Sequence, residues 1–140
     1  MSNRTFTIIK PEIVKAGLSG KVLSDIMEGG FRIVALKMLW MNDKQAKSFY
    51  DVHVGKGFFD GLISYITSGP VFVAVLEKHD AVHSFRKLIG STDPKNADEG
   101  TIRKKYGTNV ENNAVHGSDS DENAVFETSC FFSLSEIYDY

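Results

Sequence analysis

The chain has 140 residues and a formal net charge of −2 at pH 7, with 42% hydrophobic and 24% charged residues. This length and composition favour one globular domain over 1–140, and the slight negative charge argues against nucleic acid or an acidic membrane as a partner. Its apolar runs, such as 71–76 (VFVAVL), are too short to span a bilayer. The one cysteine, Cys130, cannot form an internal disulfide, which predicts a packing role and a cytoplasmic location.

The first forty residues predict strands alternating with helices. β-branched and aromatic residues alternate over 4–10 (RTFTIIK), which predicts a strand, and Pro11 suits the first position of a helix. Apolar residues at helical spacing predict a helix over 19–30 that ends at a glycine pair. A second strand is expected over 31–41.

The middle of the chain continues this alternation. Asn42 is expected to cap a helix over 43–53, and a glycine-flanked loop and a short helix share 55–69. The continuous apolar run that begins 71–78 is typical of a central strand. A helix follows over 80–90, and its first residue, an aspartate, is predicted to cap it.

The pattern becomes irregular after residue 90. The segment 91–113 is polar and only 100–106 has a helical pattern, and such a long irregular segment in a compact domain usually serves a function. A short strand over 114–116 follows, and then a helix that Ser120 is predicted to cap and that runs to about Cys130. The aromatic end, 131–140, is expected to dock on the body of the protein or on a neighbouring subunit.

The order of these elements predicts the fold class. Two β-α-β halves joined by a helical connection are typical of an α+β, ferredoxin-like sandwich. We therefore expect a four-stranded antiparallel sheet with helices packed on it, covering one face.

Two short patterns approach known ligand motifs but differ at deciding positions. The phosphate loop needs four residues between its glycines and a Ser or Thr after its lysine, whereas 17–21 (GLSGK) has two residues and is followed by Val22. In 79–83 (HDAVH), two histidines stand four residues apart, a spacing that can bind zinc, but no third ligand is evident. An ordinary turn and a helix start are predicted, and zinc binding by His79 and His83 is the alternative.

His116 differs from the other histidines in its neighbours, because small polar and acidic residues follow it within 113–122 (NAVHGSDSDE). It ends a short apolar strand, precedes Gly117, which is expected to leave space around the ring, and faces hydroxyls and carboxylates that can orient one ring nitrogen. Imidazole is largely neutral and nucleophilic at pH 7, because its ordinary pKa is about 6.5. The residues alone leave two interpretations of His116 open, a structural histidine and a nucleophile.

The sequence resembles the nucleoside diphosphate kinase family, whose active-site signature is Asn-x-x-His-Gly-Ser-Asp. The resemblance runs in order along nearly the whole chain. Its segments are TFTIIKPE (5–12), FYDVH (49–53), FFDGLISYITSGPV (58–71), FRKLIGSTDP (85–94), EGTIR (99–103) and NAVHGSDS (113–120).

The resemblance implies a catalytic set. His116 matches the nucleophile that carries the phosphoryl group, Glu127 the carboxylate that orients its ring, and Ser118 the hydroxyl bonded to that carboxylate. The catalytic residues implied by the match are His116, Lys10, Tyr50, Asn113, Ser118 and Glu127.

A nucleotide-binding set is implied in the same way. Phe58 matches the aromatic on which the base stacks, with Leu62 and Val110 completing an apolar clamp. The full set is Lys10, Phe58, Leu62, Arg86, Thr92, Arg103, Val110 and Asn113. Mg²⁺ is the implied cofactor and is expected to arrive on the nucleotide phosphates, since no protein cage for it is evident.

The implied activity is ping-pong transfer of the γ-phosphate from a nucleoside triphosphate, mainly ATP, to nucleoside diphosphates, which maintains NTP and dNTP pools. The implied partners are ATP, GTP, ADP and dNDPs, and a homo-oligomer, either hexamer or tetramer. A catalytically silent nucleotide-binding module is the alternative. The chain departs from the family pattern at Glu12-Ile13, Lys56-Gly57, Glu99 and Asn112, outside the phosphate-contacting set.

Overall fold

The structure, a computed structural model, describes residues 3–140. Its strands are β1 (Arg4–Ile9), β2 (Arg32–Leu39), β3 (Val71–Glu77) and β4 (Val115–Gly117). Its α-helices are α1 (Pro11–Lys15), α2 (Ser19–Glu28), α3 (Asp43–Phe49), α4 (Phe59–Ile66), α5 (Ala81–Ile89), α6 (Ile102–Tyr106) and α7 (Asp121–Phe131). Single 3₁₀ turns span Asp51–His53, Pro94–Asn96 and Leu134–Glu136. Within residues 3–140, no helix is both long and apolar enough to cross a membrane.

The four strands form one antiparallel sheet in the order β2-β3-β1-β4, as the ferredoxin-like prediction requires. β1 lies in the centre, pairing with β3 on one side and with β4 on the other. The last residue of β1 is Ile9, so Lys10 follows the strand and stands at the N-cap of α1. The short β4 is an edge strand, which leaves its far side open for a site.

Helices cover both faces of the sheet, so the prediction of one covered face is wrong. On one face Phe6 and Val73 pack with residues of α3, α4 and α7. On the other face Ile9 and Leu76 pack with residues of α1, α2, α5 and α6. Side chains of a strand alternate between faces, and the side chains of the central strands are buried on both, because helices cover both faces.

The predicted helix caps are confirmed in two of three cases. The side chain of Asn42 accepts from the Gln45 amide at 2.8 Å, and that of Ser120 from the Asn123 amide at 3.1 Å. Asp80 is wrong as a side-chain cap: it precedes α5 with a φ of +50° and its side chain makes no capping bond. A residue in the left-handed region turns its side chain away from the helix amides that a cap must reach.

The aromatic C-terminal segment docks on the body of the chain. The Tyr138 amide donates to the Val34 carbonyl at 2.9 Å, and the Tyr140 hydroxyl donates to the Ile33 carbonyl at 2.7 Å. Val34 is the extra residue of a bulge in β2, between the paired residues Ile33 and Ala35. The segment thereby occupies a backbone carbonyl that the edge strand leaves without a strand partner.

Candidate active site

His116 lies at the centre of β4, opposite Ile8 of β1. Its backbone carbonyl accepts a 2.7 Å hydrogen bond from the Thr7 hydroxyl, which ties the strand to the sheet centre. Its side chain is 21% exposed, so the ring is held by protein on one side and reachable from solvent on the other. The ring of Phe49 meets it edge-on, with centroids 5.3 Å apart.

Glu127 and Ser118 set the chemical state of that ring. His116 Nε2 lies 2.8 Å from Glu127 Oε1, and the Ser118 hydroxyl donates to the same oxygen at 2.7 Å. An ionised carboxylate only accepts hydrogen bonds, so Nε2 carries the proton. The lone pair is then on Nδ1, which makes Nδ1 the nucleophilic atom. The predicted triad of histidine, glutamate and serine is assembled here.

Tyr50 lies buried behind this triad. Its ring packs edge-on against Phe49 at 4.8 Å, and Phe49 in turn contacts the His116 ring. Burial, and then the charge of Glu127, raises the pKa of the Tyr50 phenol. The phenol therefore stays protonated and is a hydrogen-bond donor throughout the physiological pH range.

Lys10 and Asn113 join the end of β1 to the long polar segment. Lys10 Nζ donates to Asn113 Oδ1 at 2.7 Å and approaches the Glu111 carbonyl at 3.4 Å. The Asn113 side-chain Nδ2 donates to the Thr92 carbonyl at 3.0 Å, so the polar segment 91–113 is folded back on itself. Burial, followed by the nearby charge of Arg103, lowers the pKa of the Lys10 ammonium to about 8.

Arg103 is held beside the histidine by backbone carbonyls. Its guanidinium donates to Gly90 O at 3.0 Å and to Val115 O at 2.9 Å, and Val115 directly precedes His116. Its buried Nε has no partner within residues 3–140. Burial, and then the charge of Arg86, lowers the pKa of Arg103 to about 10.

Two buried cations therefore share this site. Lys10 and Arg103 are each 8% exposed, and neither forms a salt bridge within the part of the chain that the structure describes. Positive charge that is buried and mutually repulsive is costly unless an anion neutralises it. The arrangement fits a phosphate chain better than any neutral ligand.

The predicted base clamp lies on the surface. Phe58 is 55% exposed and Val110 57% exposed, whereas Leu62 packs partly buried against the core. The Phe58 ring meets His53 edge-on at 5.2 Å, and Thr92 is also exposed. Lys10 contacts Asn113, Arg103 contacts the backbone next to His116, and Glu127 contacts both His116 and Ser118. The joining of Phe58, Leu62 and Val110 into one clamp stays a prediction.

Comparison with known proteins decides the family. A family model described as nucleoside diphosphate kinase matches residues 3–137. The nucleoside diphosphate kinase of Nitratidesulfovibrio vulgaris (strain DP4) is 50% identical over 137 residues, which cover 98% of this chain and 99% of that protein. The chain belongs to the nucleoside diphosphate kinase family. The predictions of family and of an enzyme are thereby confirmed.

Solved structures of nucleoside diphosphate kinases share the fold. The Aquifex aeolicus enzyme matches with a TM-score of 0.95 at 41% identity, covering 97% of this chain and 99% of that one. The Halobacterium salinarum enzyme, solved in complex with CDP, matches with a TM-score of 0.94 at 39% identity, covering 100% and 93% of the two chains. The α+β, ferredoxin-like prediction is confirmed.

The two patterns that approach ligand motifs, 17–21 and 79–83, lie in a turn between helices and at the start of α5 in this nucleoside diphosphate kinase fold. Gly17 makes the turn between α1 and α2 with a φ of +74°, and Ser19 opens α2. His79 and His83 are exposed, and His83 shares a surface cleft with Lys78 and Lys87, which would repel a metal ion. Among residues 3–140, no three His, Cys, Asp or Glu side chains are grouped to bind a metal.

Gly117 serves packing rather than access to the ring, which corrects the sequence-based expectation. A Cβ at this position would lie 3.0 Å from Ile89 and 3.1 Å from Phe85, both on α5. Glycine therefore lets β4 approach α5 closely. Its neighbour Ser118 can then reach Glu127.

Sequence reasoning missed two polar residues that support the site. The Thr7 hydroxyl holds the His116 carbonyl, and the Glu12 carboxylate accepts from the Ala114 amide at 3.1 Å. Thr7 is fully buried in the central strand β1, and a polar residue inside a predicted strand is the signal that could have drawn attention to it. Glu12 departs from the family pattern and suits the start of a helix, and neither feature predicts its contact with Ala114.

Proposed function

We propose that the chain transfers the γ-phosphate of a nucleoside triphosphate, mainly ATP, to nucleoside diphosphates through a phosphohistidine on His116. The observation that carries this proposal is the hydrogen bond from His116 Nε2 to Glu127, which leaves the Nδ1 lone pair free. Residues just before His116 bind two buried cations, since the Val115 carbonyl accepts from Arg103 and the Asn113 side chain accepts from Lys10. A histidine held in this way is ready to attack, and only an anionic substrate satisfies its surroundings.

In the first half-reaction the Nδ1 lone pair forms a bond to the γ-phosphorus. The bond between that phosphorus and the β,γ-bridging oxygen breaks, and its electron pair leaves with the nucleoside diphosphate. The ring gains positive charge as the bond forms, and the Glu127 carboxylate, 2.8 Å from Nε2, stabilises that charge. A second nucleoside diphosphate then takes the phosphoryl group from Nδ1 by the reverse of these steps.

The cations supply the charge that phosphoryl transfer needs. Catalysis of this reaction consists mainly of alignment and neutralisation of the phosphate oxygens. We assign three cations to the phosphates: Arg86, Arg103 and Lys10. The charge of Arg86 acts on Arg103, and that of Arg103 on Lys10. The Thr92 hydroxyl is assigned to a phosphate oxygen. The planar guanidinium groups suit phosphate oxygens in pairs. Tyr50 and Asn113 complete the set, as a buried donor and as the partner of Lys10.

Mg²⁺ is assigned to the nucleotide rather than to a protein cage. The described residues offer no grouped set of His, Cys, Asp or Glu that could hold it, and Mg²⁺ usually keeps several waters and binds phosphates. Chelation is expected to abolish transfer without changing the melting temperature of the nucleotide-free protein. A fall in that melting temperature on chelation would place a metal in the protein itself.

The remaining assignments concern the base, the assembly and the location. Phe58 is assigned to stacking, with Leu62 and Val110 beside it, and stacking tolerates any base, which fits ATP, GTP, ADP and dNDPs as substrates. The Halobacterium salinarum relative in complex with CDP supports nucleotide binding. A single domain over 1–140, a homo-oligomer (hexamer or tetramer) and a cytoplasmic location complete the proposal.

Labelling with γ-³²P-ATP tests the proposal directly. The wild-type protein is expected to acquire a protein-bound phosphate that is labile in acid and stable in alkali, and to pass it to added GDP. His116→Ala is expected to abolish labelling and to keep the fold, whereas His79→Ala is expected to label normally. A folded wild-type protein that takes up no label would leave only the silent nucleotide-binding module.

A further inference from the structure

The chain enters β4 through a strained turn centred on Ala114. This fully buried residue has a φ of +77°, and the Val115 amide donates to the Asn113 carbonyl at 3.0 Å across it. A hydrogen bond that closes over three residues at positive φ makes a γ-turn, a rare conformation that is costly for a residue with a Cβ. Such a turn persists only where its surroundings hold it.

Two residues at the start of α1 hold both sides of this turn. The Glu12 carboxylate accepts from the Ala114 amide through Oε2 at 3.1 Å, and the Lys10 amide donates to the Ala114 carbonyl at 2.9 Å. The other carboxylate oxygen of Glu12 accepts from the Tyr65 hydroxyl of α4. Glu12 therefore connects a helix on the body of the protein to the strained peptide.

The residues on either side of the turn belong to the proposed site. Asn113 binds Lys10 through its side chain, and Val115 gives its carbonyl to Arg103. His116 follows next. A change in the backbone at Ala114 would therefore move three groups at once. They are Asn113, which binds Lys10, the Val115 carbonyl, which binds Arg103, and the nucleophile His116.

We infer that Glu12 is a positioning residue for phosphoryl transfer, because its carboxylate holds the Ala114 γ-turn that sets Asn113 and His116 in place. The inference rests on the proposed transfer through His116. Glu12 acts chiefly through the backbone, its charge acts also on Lys10, and it contacts neither the nucleophile nor, in this assignment, the nucleotide. Its function requires an acceptor for the amide rather than a negative charge.

That distinction separates the variants. Glu12→Ala removes the acceptor, so the turn relaxes and the rate of phosphohistidine formation at saturating Mg-ATP is expected to fall about 10- to 100-fold, the scale of a 1 Å misplacement. Glu12→Gln keeps an oxygen for the Ala114 amide and an N–H for the Tyr65 oxygen, so most of the rate is expected to remain. The control Glu28→Ala, at the exposed end of α2, is expected to react as wild type.

A second substitution tests the strain itself. Glycine adopts positive φ as readily as negative φ, so Ala114→Gly in the Glu12→Ala background is expected to recover about tenfold of the lost rate. A role in fold stability alone would change the melting temperature of Glu12→Ala but not the saturating rate of its folded fraction.

The experiment is a quench-flow measurement of phosphohistidine formation, made below the melting temperature of each variant. Glu12→Met, which keeps the side-chain volume without an acceptor, replaces Glu12→Ala if the latter does not fold. The inference is overturned if the folded variant reacts at the wild-type rate, or if Ala114→Gly recovers nothing. Absence of phosphohistidine in the wild type would instead overturn the proposed function, so the two failures are distinguishable.

Discussion

Glu127 reaches His116 across eleven residues of sequence, and its Oε1 lies 2.8 Å from the histidine Nε2. The contact exists because α7 turns back after Ser120 and packs on the sheet, where Phe131 stacks on Phe6 with ring centroids 5.8 Å apart. Apolar packing of α7 beside the histidine, where Phe6 also lies 6.2 Å from the His116 ring, therefore helps to set the orientation of the nucleophile.

Removing the charge of Glu127 is expected to slow labelling. Glu127→Gln can still accept from Nε2, but it cannot stabilise the positive charge that develops on the ring. We expect phosphohistidine formation to fall by about 10²- to 10⁴-fold, the usual range for a group that assists a proton-bearing partner in the transition state. Rapid-quench labelling measures the rate, and the exposed Glu122→Gln on the same helix is the control. Wild-type labelling by Glu127→Gln would contradict the assignment.

Arg103 is expected to contribute chiefly to the transition state. By comparison with arginine fingers elsewhere, Arg103→Ala should slow transfer about 10³-fold, or roughly 4 kcal/mol of barrier. Steady-state kinetics measure kcat, and circular dichroism checks the fold, since the substitution also removes the bonds to Gly90 and Val115. Lys104→Ala, one residue further along α6, is the control. Unchanged turnover in Arg103→Ala would show that this assignment is wrong.

The lowered pKa of Lys10, about 8, predicts opposite effects of pH on activity and on stability. Above that pH the free enzyme loses the cation that binds phosphate, so kcat/KM is expected to fall as pH rises through 8. Unfolded Lys10 has its ordinary pKa of 10.5 and binds more protons than the folded state between pH 8 and 9.5, so the free energy of unfolding should rise there.

Lys10→Met supplies the control for both measurements. Arg103, Glu12 and Glu111 are the charged groups that act on Lys10, and all three remain in this variant. Its stability, followed by urea denaturation, is expected to lose the rise between pH 8 and 9.5. A pH profile of kcat/KM that stays flat through pH 8 in the wild type would contradict the role of Lys10.

Phe58 is expected to affect binding more than chemistry. Its side chain is 55% exposed in the nucleotide-free protein, so Phe58→Ala should leave the melting temperature unchanged. Loss of a stacking surface worth about 1–3 kcal/mol should raise KM about 5- to 100-fold for every nucleotide, with kcat nearly unchanged. Val54→Ala, 60% exposed in the preceding loop, is the control. An unchanged KM would remove Phe58 from the binding site.

The signature residues were predictable because their chemistry depends on residue type. A histidine followed by Gly-Ser-Asp, a lysine after a strand and two arginines in separate segments were assigned from sequence, and the structure assembles Lys10, Arg103, Ser118, Glu127 and His116. The alternation of apolar residues likewise predicted the strands and most helices. These features are local, and local pattern determines them.

Other features depend on contacts between distant segments. Three examples are the covering of both sheet faces, the close packing of Gly117 against α5, and the hydrogen bond from the Ala114 amide to the Glu12 carboxylate. The last of these joins residues that are 102 positions apart in sequence. The type of residue on either side of such a contact does not predict which distant residue it will meet.

By itself the sequence determined the element order, because spacing encodes periodicity, and its resemblance to a known family identified the family and the reacting side chain. Only the tertiary structure decided which histidine nitrogen holds the proton, how low the pKa of the buried lysine lies, and what holds the strained entry to β4. Those properties come from distances and burial, which exist only after remote segments have packed together.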